Sequence, residues 1–185
     1  YLGEGTYTVD GVGPSVEVDA GDVDRVRAPF TVSATWSEPV THFATEDVHV
    51  TNGTLTNLTG SGDTYELTIS PTTDGDVTVA IIAGAVTDAA NNDSERNELT
   101  VLADLTRPTV TLSSSDGLLV NAPFVVTASF SEPVIGVEAT DFAIDGGRLT
   151  NFVGSDATFS FTVTSRREGE VTIDLPANLV GDLAR

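Results

Sequence analysis

The chain carries the same pattern twice. Ala28-Pro29-Phe30-Thr31-Val32-Ser33-Ala34-Thr35-Trp36-Ser37-Glu38-Pro39-Val40 recurs as Ala122-Pro123-Phe124-Val125-Val126-Thr127-Ala128-Ser129-Phe130-Ser131-Glu132-Pro133-Val134, a shift of 94 residues (122 − 28). The same shift pairs Pro14 with Pro108, Asp47 with Asp141, Leu55-Thr56-Asn57 with Leu149-Thr150-Asn151, Gly75 with Gly169 and Asp88 with Asp182, without a gap. Roughly a third of aligned positions are identical, which marks a tandem duplication. Each copy must therefore close its own fold within about ninety residues.

Inside each copy the hydrophobic period is two. Phe30, Val32, Ala34 and Trp36 alternate with Thr31, Ser33 and Thr35, and Tyr65, Leu67 and Ile69 alternate with Glu66 and Thr68. Val77, Val79 and Ile81 repeat the pattern. This is the signature of half-buried strands, with Thr as the outward residue. Turn signals such as Asn52-Gly53, Gly60-Ser61-Gly62-Asp63 and Thr73-Asp74-Gly75-Asp76 separate the runs. The pattern predicts seven strands in the first copy: A at 14–19, B at 30–37, C at 47–51, D at 54–59, E at 64–70, F at 77–82 and G at 97–103. Seven short strands without a helical pattern predict an all-β fold of two tandem Ig-like sandwiches, with Trp36 and Phe130 in the cores. The expected division is a G-like N-terminal strand at 1–10, repeat 1 at 11–104 and repeat 2 at 105–185.

Pro-x-Val, Ala-Pro-Phe, Ser-Glu-Pro-Val, Asp141-Phe142 (Asp47-Val48 in the first copy), Thr-Asn-Gly, Asp-Gly-x-Val and Thr-Asp-Ala-Ala-Asn together resemble the bacterial Ig-like repeats of large cell-surface adhesins. The resemblance spans nearly the whole chain. It implies an extracellular, cell-surface location, a non-enzymatic stalk role and, often, calcium at the junctions between repeats.

Composition narrows the partners. The 28 Asp and Glu face only eight basic residues, all Arg, for a net charge of −20. A surface this acidic argues against nucleic acid, whose phosphates are bound by Lys and Arg. No apolar run approaches the roughly 18 residues of a membrane-spanning helix, so no membrane span is expected. The absence of Cys excludes disulfides, thiolate catalysis and Cys-based zinc sites. Acid-rich chains tolerate salt that screens their self-repulsion, which fits a halophilic setting; a genome poor in Lys codons would give the same bias. The two histidines, His42 and His49, have Gly136 and Ala143 as repeat partners, too little for a catalytic or paired-His metal site. The expectation is no enzyme.

In an Ig-like strand order the B–C and F–G loops share the pole where the chain enters a repeat. Those loops supply Glu38 and Asp88 in the first copy and Glu132 and Asp182 in the second, while the preceding linkers supply Asp10 and Asp104. Hard oxygen ligands of this kind suit calcium. Solvated loop acids or turn-capping aspartates are the alternative. Asn52, Asn57 and Asn92 each begin a glycosylation acceptor triplet, a pattern that also arises by chance in a Thr-rich chain.

The repeat shift also aligns Glu4-Gly5-Thr6-Tyr7-Thr8-Val9-Asp10 with Glu98-Leu99-Thr100-Val101-Leu102-Ala103-Asp104, which is strand G of the first copy. The second copy stops at the counterpart of Asn91 and is expected to lack strand G. Residues 4–9 are thus a candidate donor strand for the next subunit, joining copies head-to-tail into a filament of the kind assembled by strand addition in pili. The alternative is a segment cut from a longer array out of phase with its domains. The leading expectation is a structural subunit or stalk module whose partners are further copies or neighbouring Ig-like repeats. An accessory spacer or carbohydrate-binding module of a secreted polysaccharide-degrading enzyme is the other reading, with a host or surface glycan as partner. That second reading calls for outward aromatics, and only 6% of residues are aromatic.

Overall fold

The computed structural model describes residues 9–117, 119–120 and 123–184. Two compact units divide the chain, the first running through Leu105 and the second covering Thr106–Leu183. Apart from two single 3-10 turns, Thr45–Asp47 and Ala139–Asp141, every element is a strand.

The first unit contains β1 (Val16–Asp19), β2 (Arg25–Val26), β3 (Phe30–Val40), β4 (Val48–Thr51), β5 (Gly53–Pro71), β6 (Gly75–Ile81) and β7 (Asn97–Ala103). One sheet has the order β1-β3-β5 and the other β2-β7-β6-β4. The period-two residues meet between these sheets: Val32, Ala34, Leu67, Ile69, Val77, Val79 and Ile81 are buried, and Trp36 joins them. The outward row pairs across strands through its hydroxyls, as where Thr78 and Thr100 lie 3.0 Å apart.

The second unit repeats the plan with a gap. Its strands are β8 (Val110–Ser114), β9 (Phe124–Phe130), β10 (Val134–Ile135), β11 (Ala143–Asp145), β12 (Gly147–Ser155), β13 (Thr158–Ser165), β14 (Thr172–Asp174) and β15 (Gly181–Asp182). The sheet β12-β13-β9-β8 corresponds to β5-β3-β1, but the facing sheet is only β11-β14, the counterpart of β4-β6. Among the described residues nothing takes the place of β7. Its core is built on Phe142, Phe159, Phe161, Val126 and Val163, with Phe130 half-buried beside them.

Three strand boundaries differ from the sequence reading. Strands D and E form one assigned strand, β5, in the first unit and two, β12 and β13, in the second. The chain still doubles back there, for Thr56 Oγ1 donates to the Thr68 carbonyl at 3.0 Å. Strand B runs on through Pro39 to Val40, because its pairing with β5 slips between Thr35 and Val40 and the irregular stretch needs no amide from the proline. The two-residue β2, which pairs parallel with β7 through Arg25↔Leu102 and Val26↔Ala103, is too short to leave a periodic trace.

Candidate functional site

The pole where the chain enters the first unit is organised by amides. Asp88 sits in the turn after β6, and its Oδ1 accepts the backbone N–H groups of Ala90 (2.8 Å) and Asn92 (2.9 Å). Asn92 Nδ2 donates to Asp88 Oδ2 at 2.8 Å and to the Asp10 carbonyl at 3.2 Å, tying the leading segment to this loop. Gly13 makes the close approach, since a Cβ there would lie 2.0 Å from the Asp93 carbonyl oxygen. The linker and the F–G loop therefore do meet, through the Asn92 amide and backbone rather than through carboxylates.

The Asn92 backbone N–H, and then its side-chain amide, hold the Asp88 carboxyl below its ordinary value. A lowered folded pKa gives a contribution that is complete above the unfolded value of 3.8 and lost as pH falls through the folded one. The stability advantage of the parent over Asp88→Asn, measured by urea unfolding, is expected to be largest at about pH 6 and to shrink steadily in acid.

The other acids expected as calcium ligands stand apart. Asp10 is exposed and its Oδ1 accepts the Val12 N–H at 3.2 Å, while Glu38 is exposed on β3. Asp104 follows β7 and pairs with Arg25, Nη1 to Oδ2 at 2.9 Å, within the first unit. Glu132 is half-buried between β9 and β10, and Asp182 is buried on β15 opposite Val134. Among the described residues no three His, Asp or Glu side chains gather as a metal would require. The three-carboxylate cradle expected from loop topology is thus not formed, because sharing a pole brings loops near without turning their side chains to one point.

The glycosylation candidates differ in setting. Asn52, at φ 56, is engaged with Thr73 through both its amide nitrogen and its oxygen. Asn92 is the latch just described, and Asn57 is exposed on β5. Both histidines are exposed, and His49 points outward between Val48 and Val50 as its period predicts. Of the donor-strand candidates, Glu4, Gly5, Thr6, Tyr7 and Thr8 lie outside the described residues, whereas Val9 is 93% exposed.

The second unit holds one further feature. A cleft of about 1210 Å3 lies between its two sheets, floored by Leu112, Phe124 and Val126 on one side and Val171 and Ile173 on the other. In the first unit the corresponding space is closed by β7 and β2. Val26 there is 2% exposed, whereas its counterpart Val120 is 40% exposed. Arg166 and Arg167 stand at the rim.

The family described as bacterial Ig-like domain matches residues 10–101 and again 104–185, so the chain belongs to that family and carries two of its domains in tandem. No curated protein matches it. No helix among the described residues is long and apolar enough to cross a membrane.

Proposed function

We propose that this tandem of bacterial Ig-like domains is a non-enzymatic structural subunit or stalk module of an extracellular cell-surface filament or adhesin, joined head-to-tail to its neighbours by strand donation. The observation that carries the reading is the tandem of two bacterial Ig-like domains, at residues 10–101 and 104–185. Bacterial Ig-like domains are typical of surface-exposed proteins, which supports the location. Immunogold electron microscopy of intact cells tests it: label along extended surface structures is the expected result, and label confined to the cell interior would refute it.

The carbohydrate-binding alternative receives less support. Trp36, Phe43 and Tyr65 are buried, and the large apolar side chains exposed among the described residues are all Val, Ile or Leu. A sugar platform needs aromatic faces turned to solvent. Reproducible binding to one polysaccharide on a glycan array would reverse this preference.

The charge of −20 on 185 residues fits a spacer that works in a saline medium. Melting temperature is expected to fall as sodium chloride is withdrawn, since self-repulsion is then unscreened over more than about 10 Å. A salt-independent melting temperature would leave codon bias as the explanation of the missing Lys.

A further inference from the structure

We infer that the outer face of the sheet β12-β13-β9-β8 in the second unit docks on the outer face of β1-β3-β5 in the first unit of a second copy of this chain, side by side. The inference goes beyond the stalk reading and uses none of its end-to-end joining.

The two faces are one lattice with different charge. In the first unit strand pairing sets Glu17 beside Thr35 and Thr35 beside Thr64, then Asp19 beside Ser33 and Ser33 beside Glu66, all turned from the core. The second unit repeats these rows as Thr111, Ser129 and Thr158, then Ser113, Thr127 and Ser160. Each of the three acids has become a hydroxyl. On the outermost strand Thr54 has become Arg148, which is exposed and stands opposite Thr164, and Thr72 has become Arg166, just past the end of β13. All five changes move the charge in the same direction. A general loss of acids from the second unit does not explain them, because the outer face of its other sheet gains acids. Thr51 and Ala80 of the first unit correspond there to Asp145 on β11 and Asp174 on β14, both exposed.

Charge complementarity selects the occupant. A chain of net charge −20 repels its own copies, so a lateral contact has to use a surface where that field is reversed. The rows of the second-unit face present hydroxyls and Arg148 without a carboxylate. Among the described residues neither Arg148 nor Arg166 has an ion pair, and neither do Glu17, Asp19 and Glu66 on the first-unit face. Glu168 weakens the field at Arg166, which leaves Arg148 as the principal cation. The surrounding Ser and Thr side chains are short, lose little rotamer freedom on contact and serve as both donors and acceptors. Four strands spaced about 4.8 Å apart over about 20 Å of their length give a contact of about 400 Å2 per partner, roughly half that of a standard stable complex. A single contact is therefore weak. Chains held parallel as neighbouring stalks repeat it many times, and their effective concentration then carries the association. Because the acidic and basic faces lie on different units, the contact is heterologous and leaves one face of each kind open for a further copy.

A charge swap on the full-length protein tests the pairing. Sedimentation equilibrium at about 1 mM protein, the range of a weak contact, is expected to show concentration-dependent association of the parent. Two double variants, Arg148→Glu with Arg166→Glu and Glu17→Arg with Glu66→Arg, should each weaken it about tenfold or more, since two exposed attractions become repulsions. Mixing the two variants should restore at least the parent's association, because each then meets the opposite sign. All four positions are exposed, and urea midpoints equal to the parent's will show that both variants fold. A parent that stays monomeric would overturn the inference, and one that does so while binding polygalacturonate through Arg148 would replace the second copy by an acidic polysaccharide. Association lost in the arginine variant but kept in the glutamate variant would remove β1-β3-β5 as the partner face. A monomeric parent whose immunogold label still follows extended surface structures rejects this inference alone, whereas interior label with the charge swap intact rejects only the stalk reading.

Discussion

Phe161→Ala is expected to unfold the second unit and leave the first folded. Phe161 is 1% exposed and packs its ring 4.7 Å from that of Phe142. It stands at the centre of a core in which seven apolar residues are buried among the described residues, against eighteen in the first unit. Removing a buried Phe costs about 3–5 kcal/mol, and a domain of this size holds only about 4–12 kcal/mol in total. The open cleft places the second unit toward the lower end of that range, so one deletion removes most of its margin. The two units can be read separately. Trp36, the only tryptophan, is buried in the first unit among side chains of that unit, so its fluorescence follows the first unit alone. Circular dichroism follows both. The variant should lose part of its β signal in buffer while the Trp36 unfolding midpoint in urea stays in place. A Trp36 midpoint that falls together with the circular dichroism signal would contradict the separation.

How far the sequence alone leads is visible in particular residues. The two sandwiches were readable because duplication and alternation are properties of order along the chain. Val32, Ala34, Trp36, Leu67 and Ile69 fall where their period puts them, with little dependence on what they touch. Side-chain direction was not. Asp10, Glu38 and Asp88 belong to neighbouring segments, yet Asp88 spends its oxygens on amides and Asp104 spends its own on Arg25. Metal ligation is decided over a few tenths of an ångström, and loop order fixes position only to several ångströms. Asn92 was singled out as a glycosylation triplet and proves to be the latch that holds the leading segment. A single amide that bridges two segments 82 residues apart leaves no periodic mark.

Gly60→Ala is expected to destabilise the first unit by about 3 kcal/mol or more, and Gly154→Ala to do the same to the second. The two glycines are repeat partners in the turns that close β5 on itself and join β12 to β13. Their φ values are 132 and 144, a region that residues with a side chain rarely enter. A Cβ at Gly60 would lie 2.4 Å from the Thr64 carbonyl oxygen and 2.6 Å from Tyr65 Cα. At Gly154 the distances are 2.4 Å to the Thr158 oxygen and 2.5 Å to Phe159 Cα. The obstacles are backbone, so no side-chain rotation relieves them. An aromatic ring closes over each glycine, with Tyr65 Cδ1 and Phe159 Cδ1 next to the position a methyl would take. Those rings belong to the two cores, Tyr65 through Phe43 and Phe159 through Phe130, so displacing either one spreads the damage inward. Gly62 provides the comparison. It also has positive φ, at 72, but an added Cβ there meets nothing within 4 Å. Gly62→Ala should therefore cost only the conformational part, about 1–2 kcal/mol. Urea unfolding followed by Trp36 fluorescence measures both first-unit variants, and equal losses for Gly60→Ala and Gly62→Ala would mean that the backbone at Thr64 and Tyr65 yields to the added methyl.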